Sequence, residues 1–309
     1  MTSPWTTAQI PDQTGRVIVI TGANSGIGFE AARVLVARGA HVVLACRSPA
    51  RAADAEALLR AETPGASVEV MALDVSRLAS VRAFAEQFRA THPRLDVLCN
   101  NAGVMALPPS LTEDGLDIQM ATNHFGHFAL TGLLLDLLKP SARVVNVSSM
   151  AHRMGGDRFE ALLAGQPFNP WIIYGQSKLA NILFTAELNR RARAKGVGLL
   201  AIACHPGYAA TNLQATSALS GATAGYSESV ARLANRFLAQ TAAAGAWPTL
   251  YAITDPDALG GDFIGPGGFT GMAGPPVKAT PSAAARDADL AKRLWALSAQ
   301  TTGVDYAAL

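Results

Sequence analysis

From residue 16 onward, short apolar runs rich in β-branched residues alternate with stretches whose apolar positions recur every three or four residues. The runs predict strands over 16–21, 41–46, 67–73, 95–100, 143–149 and 198–205. The stretches between them predict helices over 26–38, 49–62 and 78–91, a long helix from about 112 to 138, and another over 171–195. In the first helix Ile27, Ala31, Val34 and Leu35 supply the apolar stripe. Alternation at these lengths predicts an α/β fold: one doubly wound parallel sheet of about seven strands, with right-handed crossovers that put helices on both faces. The expected bounds are an N-terminal extension over 1–14, a single domain over 15–303 and a tail over 304–309. Segment 150–170, with Gly155, Gly156, Gly165, Pro167 and Pro170, reads as irregular. Residues 207–274 are rich in Ala, Gly and Ser, with a helix expected around 227–244. After 265 the chain reads as loop, ending in a short helix over 287–297.

The chain has 309 residues, half of them apolar and 6% aromatic, enough for one large core. A net charge of +2 with scattered Lys and Arg points to neither nucleic acid nor an anionic membrane as partner. The longest apolar stretch, 128–138, is too short to span a bilayer and contains Asp136. Residues 1–13 lack the basic head and apolar run of a secretion leader, so a cytoplasmic location is expected. Cys46, Cys99 and Cys204 fall at the ends of predicted strands; their spacing gives neither a disulfide framework nor a metal site, and each reads as a small buried hydrophobe.

Candidate chemistry begins with Thr21-Gly22-Ala23-Asn24-Ser25-Gly26-Ile27-Gly28, between the first strand and the first helix. A helix N-terminus presents unpaired N–H groups and a positive dipole end, and glycines let the backbone approach an anion. In this place the run reads as a pyrophosphate cradle rather than a mere turn, with Gly22, Asn24, Ser25, Gly26, Ile27 and Gly28 as cofactor contacts.

The run resembles that of the short-chain dehydrogenase/reductase family, and later landmarks extend the resemblance over nearly the whole chain. They are Asn100-Asn101-Ala102-Gly103, Asn123, Ser148-Ser149, Tyr174 with Lys178, and His205-Pro206-Gly207. Val145–His152 and Ser177–Phe184 resemble the retinol dehydrogenase, WW-domain oxidoreductase and protochlorophyllide reductase branch. The resemblance implies a Rossmann-type fold, an oxidoreductase acting on CH–OH and C=O groups, and a nicotinamide cofactor. It allows a homo-oligomer, dimer or tetramer.

Tyr174 and Lys178 are four apart on a predicted helix and share a face. A free tyrosine, pKa ~10, is too weak a base at neutral pH; one cation at ~4 Å is worth about 4 kcal/mol at an effective dielectric of ~20, roughly three pKa units. Lys178 would supply one such charge and the oxidised nicotinamide ring another, which together are expected to bring the Tyr174 phenol down toward operating pH as general acid and base. The resemblance implies that Ser149 donates to the substrate oxygen, with Ser148 as the alternative. It also implies that Lys178 holds the nicotinamide ribose and that Asn123 holds a water leading to solvent. The bland reading of Asn123 is an amide at a helix kink. His124 and His127 share a helix face, but with no third ligand in sight no metal is expected.

At the end of the second strand, where NAD-using relatives carry an acid, stands Cys46, followed by Arg47. A guanidinium matches a 2′-phosphate, so NADP(H) is the expected cofactor. The resemblance adds Asp74 and Val75 at the adenine, Asn101, Ala102 and Gly103, and Pro206, Gly207 and Thr211 at the nicotinamide. Ser149 and Tyr174 are separated by 25 positions, a long excursion containing Met150, Met154, Phe159, Leu162, Leu163, Phe168 and Trp171. With Met105, Tyr208 and Leu213 on loops at the same sheet edge, these side chains are expected to wall a hydrophobic carbonyl or alcohol, or else to pack on one another as a flap. Met105, Ser149, Met150, Trp171 and Tyr208 are the expected substrate contacts. The competing functions are an epimerase or dehydratase on the same fold, and a non-catalytic NADP-binding sensor or interaction module.

Overall fold

The computed structural model describes residues 4–160, 169–208 and 240–309. Strands β1 (Val17–Thr21), β2 (His41–Cys46), β3 (Val68–Ala72), β4 (Leu95–Asn100), β5 (Leu138–Val147), β6 (Leu200–Cys204), β7 (Phe263–Pro266) and β8 (Pro276–Lys278) form one sheet. Their order is β3-β2-β1-β4-β5-β6-β7-β8. Every neighbouring pair is parallel except β7 with β8.

Alternate residues of each central strand serve two cores. Ile18, Ile20, Val42, Leu44, Val97 and Cys99 face one layer, with helices α1 (Gly26–Ala37) and α2 (Pro49–Glu62). Val19, Val43, Leu98 and Val144 face the other, with α3 (Leu78–Thr91) and the helices Gly126–Leu133 and Pro170–Ala194. Burial on both faces is why these strands read as continuous apolar runs. The strand order reverses between β1 and β4, which opens a crevice at the carboxyl edge, the place where such sheets bind ligands.

Three expectations need correction. The sheet has an eighth strand; Pro276–Lys278 is three residues long and antiparallel, too short to carry a period, and its proline suits an edge position. The long helix expected over 112–138 is broken. It starts at Ile118, capped by Asp117, whose carboxylate accepts from the N–H groups of Gln119 (2.9 Å) and Met120 (3.0 Å). It then widens into a π-helical turn over Ala121–Phe125, resumes as Gly126–Leu133, and ends in the 3-10 turn Leu135–Leu137. Where the helix resumes it passes close to the segment after β3: a Cβ on Gly126 would lie 1.9 Å from the carbonyl oxygen of Val75. Finally, the C-terminal helix is longer than expected, Ala288–Thr302, from an Asp287 cap to Gly303 in the left-handed conformation (φ +62°). Beyond it Val304 and Tyr306 are buried, and the Tyr306 hydroxyl donates to the Phe128 carbonyl at 2.7 Å.

Candidate active site

The Gly-rich turn leaves β1 and enters α1 at the carboxyl edge. Gly22 (φ +67°) and Gly26 (φ +57°) adopt left-handed conformations that side chains resist. A Cβ on Gly28 would lie 2.4 Å from Asn101 Nδ2 and 2.8 Å from the Gly22 carbonyl oxygen. Asn101 braces the turn, donating from Nδ2 to the Thr21 carbonyl at 2.8 Å. The Thr21 hydroxyl accepts from the N–H groups of Asn101 and Ala102, both at 2.9 Å. Ser25 occupies the cap position of α1 without a side-chain capping bond, so the first-turn N–H groups have no side-chain acceptor there. Glycines, half-buried Asn24, Ser25 and Ile27, and an uncapped helix start make a cradle that fits a pyrophosphate.

Beside the cradle, Cys46 is buried with its sulfur toward the amides of Ala23 and Asn24, and burial pushes its thiol up to about 11. Arg47, the next residue, is exposed, with no ion-pair partner among the described residues. Asp74 is half-buried and Val75 buried at the end of β3; Asp74 Oδ1 accepts from the Ser76 N–H (3.0 Å) and hydroxyl (2.6 Å). Pro206 and Gly207 lie half-buried beyond β6, with Gly207 at φ +70°. Thr211 and Leu213 lie outside the described residues, as do Leu162, Leu163, Phe168 and most of the helix expected around 227–244.

The reacting groups converge where β5 ends and the helix Pro170–Ala194 begins. Tyr174 is 6% exposed, and the Ser149 side chain is the neighbour that lowers the pKa of its phenol. Ser148 turns the other way: it is buried and its hydroxyl donates to the Lys178 carbonyl at 2.7 Å. Of the two serines, Ser149 is the one whose side chain acts on the Tyr174 phenol, while its oxygen also accepts from the Ala151 N–H at 3.2 Å. Lys178, 3% exposed, has Nζ 5.8 Å from the Tyr174 ring centroid and donates to the Val147 carbonyl at 3.1 Å. Among the described residues that carbonyl is the one hydrogen-bond partner of Nζ, which leaves further N–H donors for a ribose hydroxyl.

Asn123 sits in the π-helical turn. Its amide oxygen accepts from the Val104 N–H at 2.8 Å, and its amide nitrogen donates to the Val104 carbonyl (2.9 Å) and the Ser177 hydroxyl oxygen (2.8 Å). Ser177 in turn donates to the Tyr174 carbonyl at 2.8 Å. Asn123 thus ties the loop after β4 to the helix Pro170–Ala194. Gly103 makes room: a Cβ there would lie 3.2 Å from Asn123 Oδ1 and 3.4 Å from Lys178 Nζ.

In the protein alone, burial dominates the electrostatics of the pair. Burial raises the Tyr174 pKa, and the hydrogen bond with Ser149 lowers it less. Burial also pulls Lys178 down to about 8. At 5.8 Å from the ring and directed at a carbonyl, the ammonium does not offset the desolvation of the phenol.

The sequence reasoning did not assign Thr21 and Ser177, whose only signal was membership of the motifs around them. It also left His127 without a partner. Its Nε2 lies 2.9 Å from the Thr21 hydroxyl and its Nδ1 3.2 Å from the Asn123 carbonyl oxygen. The carbonyl can only accept, so Nδ1 carries the proton and Thr21 donates to Nε2. His124 turns elsewhere, to Ser298 at 2.8 Å.

On the substrate side, Met105 and Met150 are half-buried, and Trp171 stands edge-on to Tyr174 with ring centroids 6.3 Å apart. Tyr208 is exposed, its N–H donating to the Met272 carbonyl at 2.9 Å. Two of the expected wall residues leave the site: Phe159 is buried in the core cluster of Met120, Phe125 and Ile173, and Met154 is 52% exposed.

The family model for the short chain dehydrogenases matches residues 16–220. The chain belongs to the short-chain dehydrogenase/reductase family. As a member it is an oxidoreductase of CH–OH and C=O groups with a cofactor of the NAD(P) type. It is 48% identical over 216 residues to retinol dehydrogenase 12 of Mus musculus, covering 69% of this chain and 67% of that protein. A solved structure of an uncharacterized protein from Mycobacterium Paratuberculosis is 43% identical, with a TM-score of 0.81 over 98% of this chain and 99% of that one. An NAD(P) dependent gluconate 5-dehydrogenase from Beutenbergia cavernae, solved with bound NADP, is 25% identical, with a TM-score of 0.62 over 81% of this chain and 94% of that one. Among the described residues of this dehydrogenase/reductase, no helix is long and apolar enough to cross a membrane.

Proposed function

We propose that this short-chain dehydrogenase/reductase is an NADP(H)-dependent carbonyl/alcohol oxidoreductase of hydrophobic small molecules, with Tyr174 as its general acid and base. The observation that carries this reading is the convergence of buried Tyr174, Ser149 and buried Lys178 where β5 ends, with Lys178 Nζ 5.8 Å from the Tyr174 ring centroid. The bound nicotinamide supplies the hydride. Tyr174 gives its proton to the carbonyl oxygen in reduction and takes it back in oxidation. Ser149 donates a hydrogen bond to the same oxygen, where negative charge develops. Lys178 holds the ribose and adds positive charge near the phenol. Asn123 is a positioning residue that fixes the loop after β4 against the catalytic helix, and the water-holding role lies with its carbonyl. The cradle from Gly22 to Gly28 and residues 101–103 take the pyrophosphate and adjoining ribose. Asp74 and Val75 take the adenine, and Pro206, Gly207 and Thr211 the carboxamide.

Exposed Arg47 beside a strand end that carries Cys46 instead of an acid supports the 2′-phosphate. Half-buried Met105, Met150 and Trp171, with Tyr208 at the rim, support an apolar substrate. Three free, buried cysteines suit a reducing cytoplasm. The test is kcat/KM for straight-chain aldehydes with NADPH and with NADH. We expect NADPH to be at least tenfold better. Efficiency should climb severalfold over the first few carbons, each buried methylene being worth up to ~0.8 kcal/mol. A preference for charged or polyhydroxylated carbonyls contradicts the substrate class. Cofactor binding without consumption over a broad carbonyl panel would favour a sensor or interaction module instead.

A further inference from the structure

At the opposite, amino-terminal edge of the sheet, His41 opens β2, Glu69 is the second residue of β3, and His92 follows the last turn of α3. His92 Nε2 lies 3.3 Å from His41 Nε2 and 3.4 Å from Glu69 Oε1. The three atoms lie within 4.8 Å of one another.

The protonation of His92 can be read from its neighbours. The Thr91 hydroxyl has one proton, which it directs to the carbonyls of Gln87 (3.0 Å) and Phe88 (3.3 Å). Toward His92 Nδ1, at 2.9 Å, it therefore accepts, so Nδ1 carries a hydrogen. In the neutral ring Nε2 is then a bare lone pair. It faces Glu69 Oε1, an atom shielded from solvent with no hydrogen-bond partner. Two acceptors at that distance need positive charge between them. A proton on His41 Nε2 would bridge the two rings and still leave Glu69 Oε1 unpaired, whereas a proton on His92 Nε2 would pair with Glu69 only by charging the ring. A metal ion satisfies all three.

The surroundings suit ligation. His41 Nδ1 is 2.8 Å from the Ser67 hydroxyl, the outer bond that orients a ligating imidazole. His92 stacks on Phe88 with ring centroids 4.4 Å apart and planes 7° apart. Two ligands held ~2.0–2.1 Å from a tetrahedral zinc ion stand ~3.3–3.4 Å apart, which matches both measured separations.

We propose that His41, Glu69 and His92 form a divalent transition-metal site of the zinc class, remote from the catalytic centre. The ion ties the starts of β2 and β3 to the end of α3, and half-exposed Glu69 leaves its fourth position to water. Imidazole and carboxylate together favour Zn²⁺ over Mg²⁺ or Ca²⁺.

The test uses the full-length, metal-stripped protein, titrated with ZnCl₂ in a calorimeter and with CoCl₂ in a spectrophotometer. The expected result is one equivalent of Zn²⁺ bound at micromolar affinity or tighter, a raised Tm, and a Co²⁺ spectrum of tetrahedral type. Glu69→Gln, which keeps the side-chain shape, and His92→Ala should each weaken Zn²⁺ at least tenfold and remove the Tm rise. The Glu69→Gln variant and the parent's Co²⁺ spectrum decide the matter if His92→Ala does not fold. No binding by the parent, or binding undiminished in Glu69→Gln, overturns the site.

Discussion

Arg47 and Cys46 show how much one residue position can decide. The second strand ends on a buried thiol beneath the cradle, and the next side chain is an exposed guanidinium. With a carboxylate at that strand end the ribose hydroxyls would be favoured and a 2′-phosphate repelled. Arg47→Asp should therefore lower kcat/KM for NADPH at least tenfold, since a charge-assisted hydrogen bond is worth ~1.5–3 kcal/mol, and leave NADH unchanged or improved. Steady-state kinetics with both cofactors check this; an unchanged ratio between them contradicts it. The two serines divide in the same residue-by-residue way. Sequence left Ser148 and Ser149 open as hydrogen-bond donors because both follow the same strand. The structure separates them by partner: the Ser148 hydroxyl is taken up by the Lys178 carbonyl, and it is the Ser149 side chain that bears on the Tyr174 phenol.

Among the elements, the interrupted helix before β5 departs most from the sequence reading and does the most for the site. Its π-helical turn places Asn123 against Val104 and Ser177, and its exit glycine, Gly126, passes the Val75 carbonyl with no room for a side chain. Gly126→Ala would force the helix off β3, costing roughly 1–3 kcal/mol or more, and would lower kcat as Asn123 shifts. A urea midpoint and kcat both equal to the parent's would contradict this. The apolar run 128–138 looks helical throughout, and nothing local records where the neighbouring strand presses on it. The central strands were legible because burial on both faces leaves an apolar mark at every position, as in Val42–Cys46. β8 was not, because three residues at an antiparallel edge carry no period. Tyr174, Lys178 and the cradle were legible from spacing. The pKa of Tyr174 was not, because it depends on burial that spacing does not encode. Nor was the cluster of His41, Glu69 and His92, which are far apart in the chain and meet only when the sheet forms.

Taken whole, the molecule buries the Lys178 ammonium at a cost in stability. Burial pulls the Lys178 pKa from the ordinary lysine value of 10.5 down to about 8. Between those values the unfolded chain holds a proton that the folded one has released, so this group makes stability rise with pH over that window. Below it the charged, buried ammonium weakens the fold. Lys178→Met should thus be more stable than the parent at pH 7 by about 1–3 kcal/mol, and the difference should shrink as pH rises from 8 toward 10.5. Buried thiols and tyrosines titrate in both proteins and cancel in the comparison. Urea unfolding at a series of pH values measures it, and a difference independent of pH would contradict the assignment. The central claim is that Tyr174 moves the proton, and the most direct measurement is Tyr174→Phe assayed for turnover and, separately, for NADPH affinity by fluorescence titration. The ring stays, so packing against Trp171 and the cofactor site are kept and NADPH should bind within about threefold of the parent, an estimate for loss of one proton-transfer group alone; kcat should fall ~10²–10⁴-fold. A variant that keeps more than about a tenth of parental kcat, against that expected loss, would take the proton-transfer role away from Tyr174.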